Sequence, residues 1–144
     1  MTDVSETIRW PIRIWIAIFA LNLSIVLAVG VALSNLMILA LFLGLTIITI
    51  YSSIRTTLRI HVTQNSLRVR DAEIERKYID RIEILDETEM RQERGVLLNP
   101  KAYLALRFWV KTGVKIYLSD ARDPTPYWLI SSRKGKTIKN ILGI

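Results

Sequence analysis

Residues 14–54 read IWIAIFALNLSIVLAVGVALSNLMILALFLGLTIITIYSSI, and this stretch decides the architecture. Its 41 residues include no Asp, Glu, Lys, Arg or His. One straight helix of that length would reach roughly 60 Å at the usual rise per residue. A bilayer's hydrocarbon core is only ~30 Å thick. The run therefore folds back once. Ser34-Asn35 is its most polar pair, near the middle, and both residue types favour turns and caps. The expectation is a hairpin of two transmembrane helices, about 14–33 and 36–54. Only helices and closed barrels satisfy their backbone in lipid, and no period-2 polarity marks barrel strands here.

The flanks fit this reading. Trp10, Trp15 and Tyr51 sit where amphipathic rings favour headgroups, and Pro11 suits a first helical turn. Arg9 and Arg13 precede the first span, Arg55 and Arg59 follow the second, and the turn between carries no charge. The positive-inside rule then expects both ends in the cytoplasm, with only the Ser34-Asn35 turn outside. A signal peptide fits less well, because its apolar stretch is about 7–15 residues and the first span is longer. A buried soluble core fits poorly too, since the remaining chain is too small to cover two such helices. Asn22, Ser24, Gly30, Gly44, Thr46 and Thr49 are candidates for the contact between the helices, where small and weakly polar residues let backbones approach. With no ionisable residue in either span, a proton relay or ion path is not expected.

Charge is confined elsewhere. Asp3, Glu6, Arg9 and Arg13 cancel, so the net charge of +7 sits on residues 55–144. The absence of cysteine removes disulfides, thiolate chemistry and thiolate metal sites together, and His61 is the one histidine.

Residues 56–144 read as a second, mainly β domain, after an N-terminal part of residues 1–55. Leu58, Ile60 and Val62 alternate with polar residues, Gln64-Asn65 reads as a turn, and Leu67 and Val69 continue a hairpin. Asp71-Ala72 reads as a further turn, Ile74 as a third strand, and residues 81–84 as a fourth. Asp86 to Arg94, ended by Gly95, has the cap, first-turn acids and last-turn bases of a short helix. Strands at 103–110, 114–119 and 127–132 follow. Ile138, Ile141 and Leu142 give the last segment, residues 134–144, one apolar face. Seven antiparallel strands closed by a C-terminal helix is the order of a PH-like domain.

Leu98-Asn99-Pro100-Lys101-Ala102-Tyr103 with Arg107-Phe108-Trp109-Val110, then Asp120-Ala121-Arg122-Asp123-Pro124-Thr125-Pro126-Tyr127-Trp128-Leu129, then Ser131-Ser132-Arg133 are the most distinctive stretches. On these the chain resembles an uncharacterised actinobacterial membrane protein family with two N-terminal helices and a compact cytosolic domain. That family more often carries Asp where Asn99 stands. The resemblance implies the architecture and brings no activity, substrate or catalytic residue.

Two groups of residues remain as candidate sites. The two prolines of the Asp-Pro-Thr-Pro-Tyr-Trp run stiffen it. Asp120 and Asp123 then either bond loop amides while an aromatic fills the core, or the loop presents Asp120, Asp123, Pro124, Tyr127, Trp128 and Arg133 to a protein partner. Arg55, Arg59, Arg68 and Arg70 are the candidate contacts to an anionic leaflet, each gaining about 1 kcal/mol near it; Lys134, Lys136 and Lys139 add charge further on. An enzyme built on Asp120, Asp123 and Arg133 is a third reading, and the sequence implies no cofactor or metal. No phosphate loop or catalytic signature occurs. Nucleic-acid binding is not expected, for the charge is spread and no recognised motif is present. The reading is a non-enzymatic, membrane-anchored interaction module binding membrane lipid, a protein partner, or both. The alternative is a small accessory subunit of a membrane complex.

Overall fold

A computed structural model describes residues 3–120 and 123–143. Ala121 and Arg122 of the predicted loop lie outside the described residues. The chain forms two compact units: Arg9–Thr57, and Met1–Ile8 with Leu58–Ile144.

The first unit is a helical hairpin of α1 (Ile12–Gly30) and α2 (Asn35–Arg55). Pro11 stands at the N-cap of α1, where a missing N–H costs nothing. Ser34 caps α2, its hydroxyl accepting from the Met37 N–H. The Asn22 amide donates to Thr49 Oγ1 at 3.1 Å across the hairpin, and Phe19 meets Phe42 edge to face at 6.1 Å. At the open end Trp10 Nε1 donates to Thr56 Oγ1 at 2.7 Å. Gly30 lies against Ile38, whereas a Cβ on Gly44 would meet nothing within 4 Å and Ser24 is exposed. Thr46 bonds back to its own helix at Phe42. Both helices are long and apolar enough to cross a membrane. Neither is covered by protein: α1 buries Asn22 and Val26, and α2 buries no residue.

The second unit begins with a strand that the sequence reading leaves in the N-terminal flank. β1 (Val4–Ile8) pairs antiparallel with β2 (Leu58–Val62), and the meander continues through β3 (Ser66–Val69) and β4 (Ala72–Glu75). The signal for β1 is short, and its inward position is an acid. Glu6 is buried, accepting from the Ser132 hydroxyl and from the Arg133 N–H at 2.9 Å. A buried carboxylate is tolerated when it is hydrogen-bonded in this way. The first strand is thereby tied to the far end of the chain.

A short 3-10 turn at Arg76–Tyr78 leads to the second sheet. It is built from β5 (Ile79–Leu85), β6 (Tyr103–Ala105), β7 (Gly113–Leu118) and β8 (Tyr127–Ser131), in the order β5-β7-β8-β6. β6 runs parallel to β8; the other pairs are antiparallel. The seven-stranded, all-antiparallel expectation is therefore corrected on two counts, the added β1 and the parallel β6. The strand expected over 103–110 also stops at Ala105, because the Val110 N–H turns back to the Arg107 carbonyl at 3.0 Å.

Between β5 and β6, α3 (Glu87–Arg94) carries a full capping box, with Asp86 and Glu89 each bonding the other's backbone N–H at 2.9 Å. α3 lies so close to β7 that a Cβ on Gly113 would come within 2.6 Å of the Met90 Cε and 2.4 Å of the Ile130 carbonyl. Glycine is required there for close approach. α4 (Gly135–Leu142) buries Ile138 and Leu142. Arg76 ties its end, donating to the Leu142 and Gly143 carbonyls. The main core joins both sheets, with Leu58, Ile60, Leu67, Val69, Ile116 and Ile130 among its fully buried side chains.

Candidate functional site

The β1–β2 ladder ends at the pair Ile8 and Leu58, where the chain leaves for the helical hairpin and returns from it. Arginines gather at this end of the sheet. The alternation of β2 turns Leu58 and Ile60 inward and Arg59 outward. Arg70 lies next to it, its N–H donating to the Arg59 carbonyl at 3.0 Å. Arg70 adopts φ 57, the left-handed region, as the first residue of the tight turn into β4.

The second sheet joins the same corner, for the Tyr103 hydroxyl donates to the Val69 carbonyl at 3.2 Å. Four residues on, Arg107 donates its N–H to Ser131 Oγ at 2.8 Å and its guanidinium to the Leu106 carbonyl at 2.6 Å. Burial holds the Arg107 pKa below the ordinary guanidinium value, and the Arg70 charge adds to this. It remains a cation regardless. Phe108 then projects outward, 76% exposed, with its ring edge on Trp109 at 4.8 Å. Arg94 fastens the end of α3 to this loop, donating to the Val110 carbonyl at 2.7 Å and to Ser131 Oγ at 3.0 Å. Burial lowers its pKa as well. Beyond Arg94, Val96 is 96% exposed and Leu97 also faces solvent.

The four arginines of the predicted leaflet surface are held in different ways. Arg59 and Arg70 are adjacent. Arg68 instead pairs with Glu73 at 3.2 Å across β3–β4, which offsets its charge. Arg55 belongs to the hairpin unit, where it donates to the Tyr51 hydroxyl at 2.9 Å and lies 5.4 Å from that ring's centre. Arg107 and Phe108 stand in one of the distinctive stretches but were not read as site residues, and the Val96-Leu97 tip was not singled out at all. Arg107 reaches the arginine corner only through the packing of one sheet on the other, which no local pattern reports. The adjacency of Val96 and Leu97 ahead of a turn was the one available signal for the tip.

The Asp-Pro-Thr-Pro-Tyr-Trp loop resolves differently. Asp123 accepts from the Thr125 N–H at 2.9 Å, a local turn. Asp123 in turn donates its own N–H to the Asp120 carbonyl at 3.1 Å. Tyr127 and Trp128 are both buried, which fits the reading that puts an aromatic of this loop in the core rather than the one that presents them to a partner. The Tyr127 hydroxyl accepts from the Asn99 N–H at 2.8 Å, and Trp128 stacks on Tyr103 at 4.6 Å. Pro124 is exposed before them. An open cavity of about 490 Å³ lies beside Asp120, Asp123 and Trp128, together with Glu73, Glu75 and Tyr78. Arg133 is at the opposite end of β8, next to Glu6, so Asp120, Asp123 and Arg133 do not form one constellation. Lys134 and Lys136 lie exposed at the start of α4, near Arg133. Among the described residues no group of three or more His, Asp or Glu side chains is arranged to hold a metal ion. His61 is exposed on the outer face of β2, opposite Arg68.

The family described as protein of unknown function (DUF3093) matches residues 4–142, from the first residue of β1 to the last of α4. The chain belongs to the DUF3093 family. The DUF3093 match thus takes in β1, the hairpin and both sheets together. No curated relative and no solved structure matches this chain.

Proposed function

We propose that this DUF3093 protein is a non-enzymatic, membrane-anchored interaction module. The hairpin holds it in the bacterial cytoplasmic membrane, and the PH-like β domain on the cytoplasmic side meets the anionic leaflet through Arg59 and Arg70. One observation carries the reading: α1 and α2 leave nearly all of their apolar side chains uncovered, among them Leu36 at 77% and Ile47 at 66% exposure. A stable state requires that surface to be removed from water, and a bilayer does so for a pair of helices of this length. The arginine corner, at the sheet end where the chain leaves for the hairpin, adds attraction to anionic headgroups.

Two measurements test this. The full chain should remain with membranes after alkaline carbonate extraction; its release would sink the anchor. The β domain, with residues 9–57 replaced by a short Asn-Gly turn, should float with anionic vesicles at low salt. It should not float with neutral vesicles, at high salt, or after Arg59→Glu with Arg70→Asn. Flotation unaffected by salt or by those changes would sink the electrostatic contact.

The uncovered helices also support a second reading, in which another membrane protein's helices cover α1 and α2 and the chain is an accessory subunit. Retention of a stoichiometric membrane partner by the full chain, lost when residues 9–57 are replaced, is its signature.

A further inference from the structure

The β domain buries its large apolar side chains with few exceptions, and three of those exceptions lie on two loops joined through Arg94. Phe108, Val96 and Leu97 tip two loops that Arg94 clamps to each other. Phe108 meets the edge of Trp109, and Val96 is almost fully exposed. Beside them stand Arg107, Arg70 and Arg59, joined through the Tyr103–Val69 and Arg70–Arg59 hydrogen bonds. Apolar tips flanked by cations match the two layers of an anionic leaflet, phosphates above and acyl chains beneath. The same sheet end bears Ile8 and Leu58, from which the chain runs to the two apolar helices.

We propose that Phe108, with Val96 and Leu97, enters an anionic glycerophospholipid leaflet beneath the headgroups, while Arg107, Arg70 and Arg59 take the lipid phosphates. This rests on the membrane-anchored reading and gives the domain a second, reversible hold on the same leaflet. Aromatic and aliphatic tips favour this boundary zone, and neighbouring arginines keep their charge in the headgroup layer.

The chain has no cysteine, so single cysteines carry a polarity-sensitive fluorophore without background. Phe108→Cys, Leu97→Cys and Gln64→Cys are labelled in the full chain and reconstituted into vesicles with neutral or anionic lipid. Gln64 lies in the turn at the other end of β2. The expected result is a blue shift at 108 and 97 in anionic vesicles only. Most of that emission should be lost to lipids with brominated acyl chains, with no change at 64. Arg59→Glu with Arg70→Asn should return both labels to a water-like spectrum. Retention of the chain after carbonate with a water-like label at both tips overturns the insertion and leaves the anchor standing. Release by carbonate overturns both. A blue shift that is equal in neutral vesicles and grows with protein density would mean a second copy covers Phe108, and overturns the lipid assignment.

Discussion

Ile8 and Leu58 face each other across the β1–β2 ladder, both almost fully buried, although both apolar helices lie between them in sequence. The hairpin unit is thus an insertion between two adjacent strands. Replacing residues 9–57 by a two-residue Asn-Gly turn should convert β1–β2 into an ordinary hairpin. That variant should be monomeric and unfold in one cooperative step. A chain beginning at residue 58 should instead aggregate, because it lacks β1 and bares the edge of β2. Gel filtration and urea unfolding distinguish the two.

Glu6 should matter as much as the apolar residues around it. Glu6→Ala removes the acceptor for the Ser132 hydroxyl and the Arg133 N–H. Leaving buried donors unpaired costs about 1–3 kcal/mol. Ile8→Ala, which empties a core position, should cost roughly 2–5 kcal/mol. Both are read as shifts of the urea midpoint in the short-turn variant. No change for Glu6→Ala would mean that β1 is held by its ladder alone.

Lys115 and Glu93 form an ion pair at 2.8 Å, with both side chains about nine-tenths buried. Lys115 Nζ also lies 4.4 Å from the Tyr127 ring centre. Burial works against the ammonium, but hydrogen bonds to Glu93 and Tyr117 and the Glu93 charge outweigh it and raise its pKa above 10.5. A raised pKa stabilises the fold below the unfolded value, and that contribution fades as pH climbs through the folded one. Stability should therefore hold from neutral pH to about 10 and fall beyond it. Lys115→Met should lose that part of the alkaline decline and cost roughly 3–5 kcal/mol at neutral pH by stranding Glu93. Adding Glu93→Leu should recover most of the loss. An additive double mutant would refute the pairing.

Asn99 takes part in three bonds: its side chain accepts from the Lys101 N–H at 2.9 Å, its carbonyl accepts from the Ala102 N–H at 3.0 Å, and its own N–H meets the Tyr127 hydroxyl. A carboxylate accepts in the same geometry, so Asn99→Asp should shift stability by no more than about 0.5 kcal/mol. Tyr127→Phe should cost about 1–3 kcal/mol by leaving that N–H without its partner. Thermal unfolding of the two variants side by side tests the asymmetry.

What the sequence reveals follows the range of the forces involved. The helical hairpin was legible because one uncharged run has only one way to fit a bilayer's thickness, and Ser34 marked its break. α3 was legible because Asp86 and Glu89 form a cap within three residues of each other. The β2–β3 hairpin put Arg59 beside Arg70 for the same local reason. β1 escaped because its inward Glu6 breaks the apolar alternation, and the partners that excuse it are Ser132 and Arg133. The parallel β6 and the place of Arg107 also depend on sheet-to-sheet packing. The sequence left Tyr127 and Trp128 open between core and partner surface, and their contacts with Asn99 and Tyr103 decide for the core.

Inserting the hairpin between β1 and β2 also sets a schedule. Val4–Ile8 is made before its partner Leu58–Val62, and both helices are made in between. On the proposed membrane-anchored reading, the strand's wait ends only if it stays on the side where the rest of the sheet will appear. A chain threaded the other way round would then strand its first strand across the bilayer and leave Ser132 and Arg133 without Glu6, so that correct threading alone is rewarded with a finished sheet.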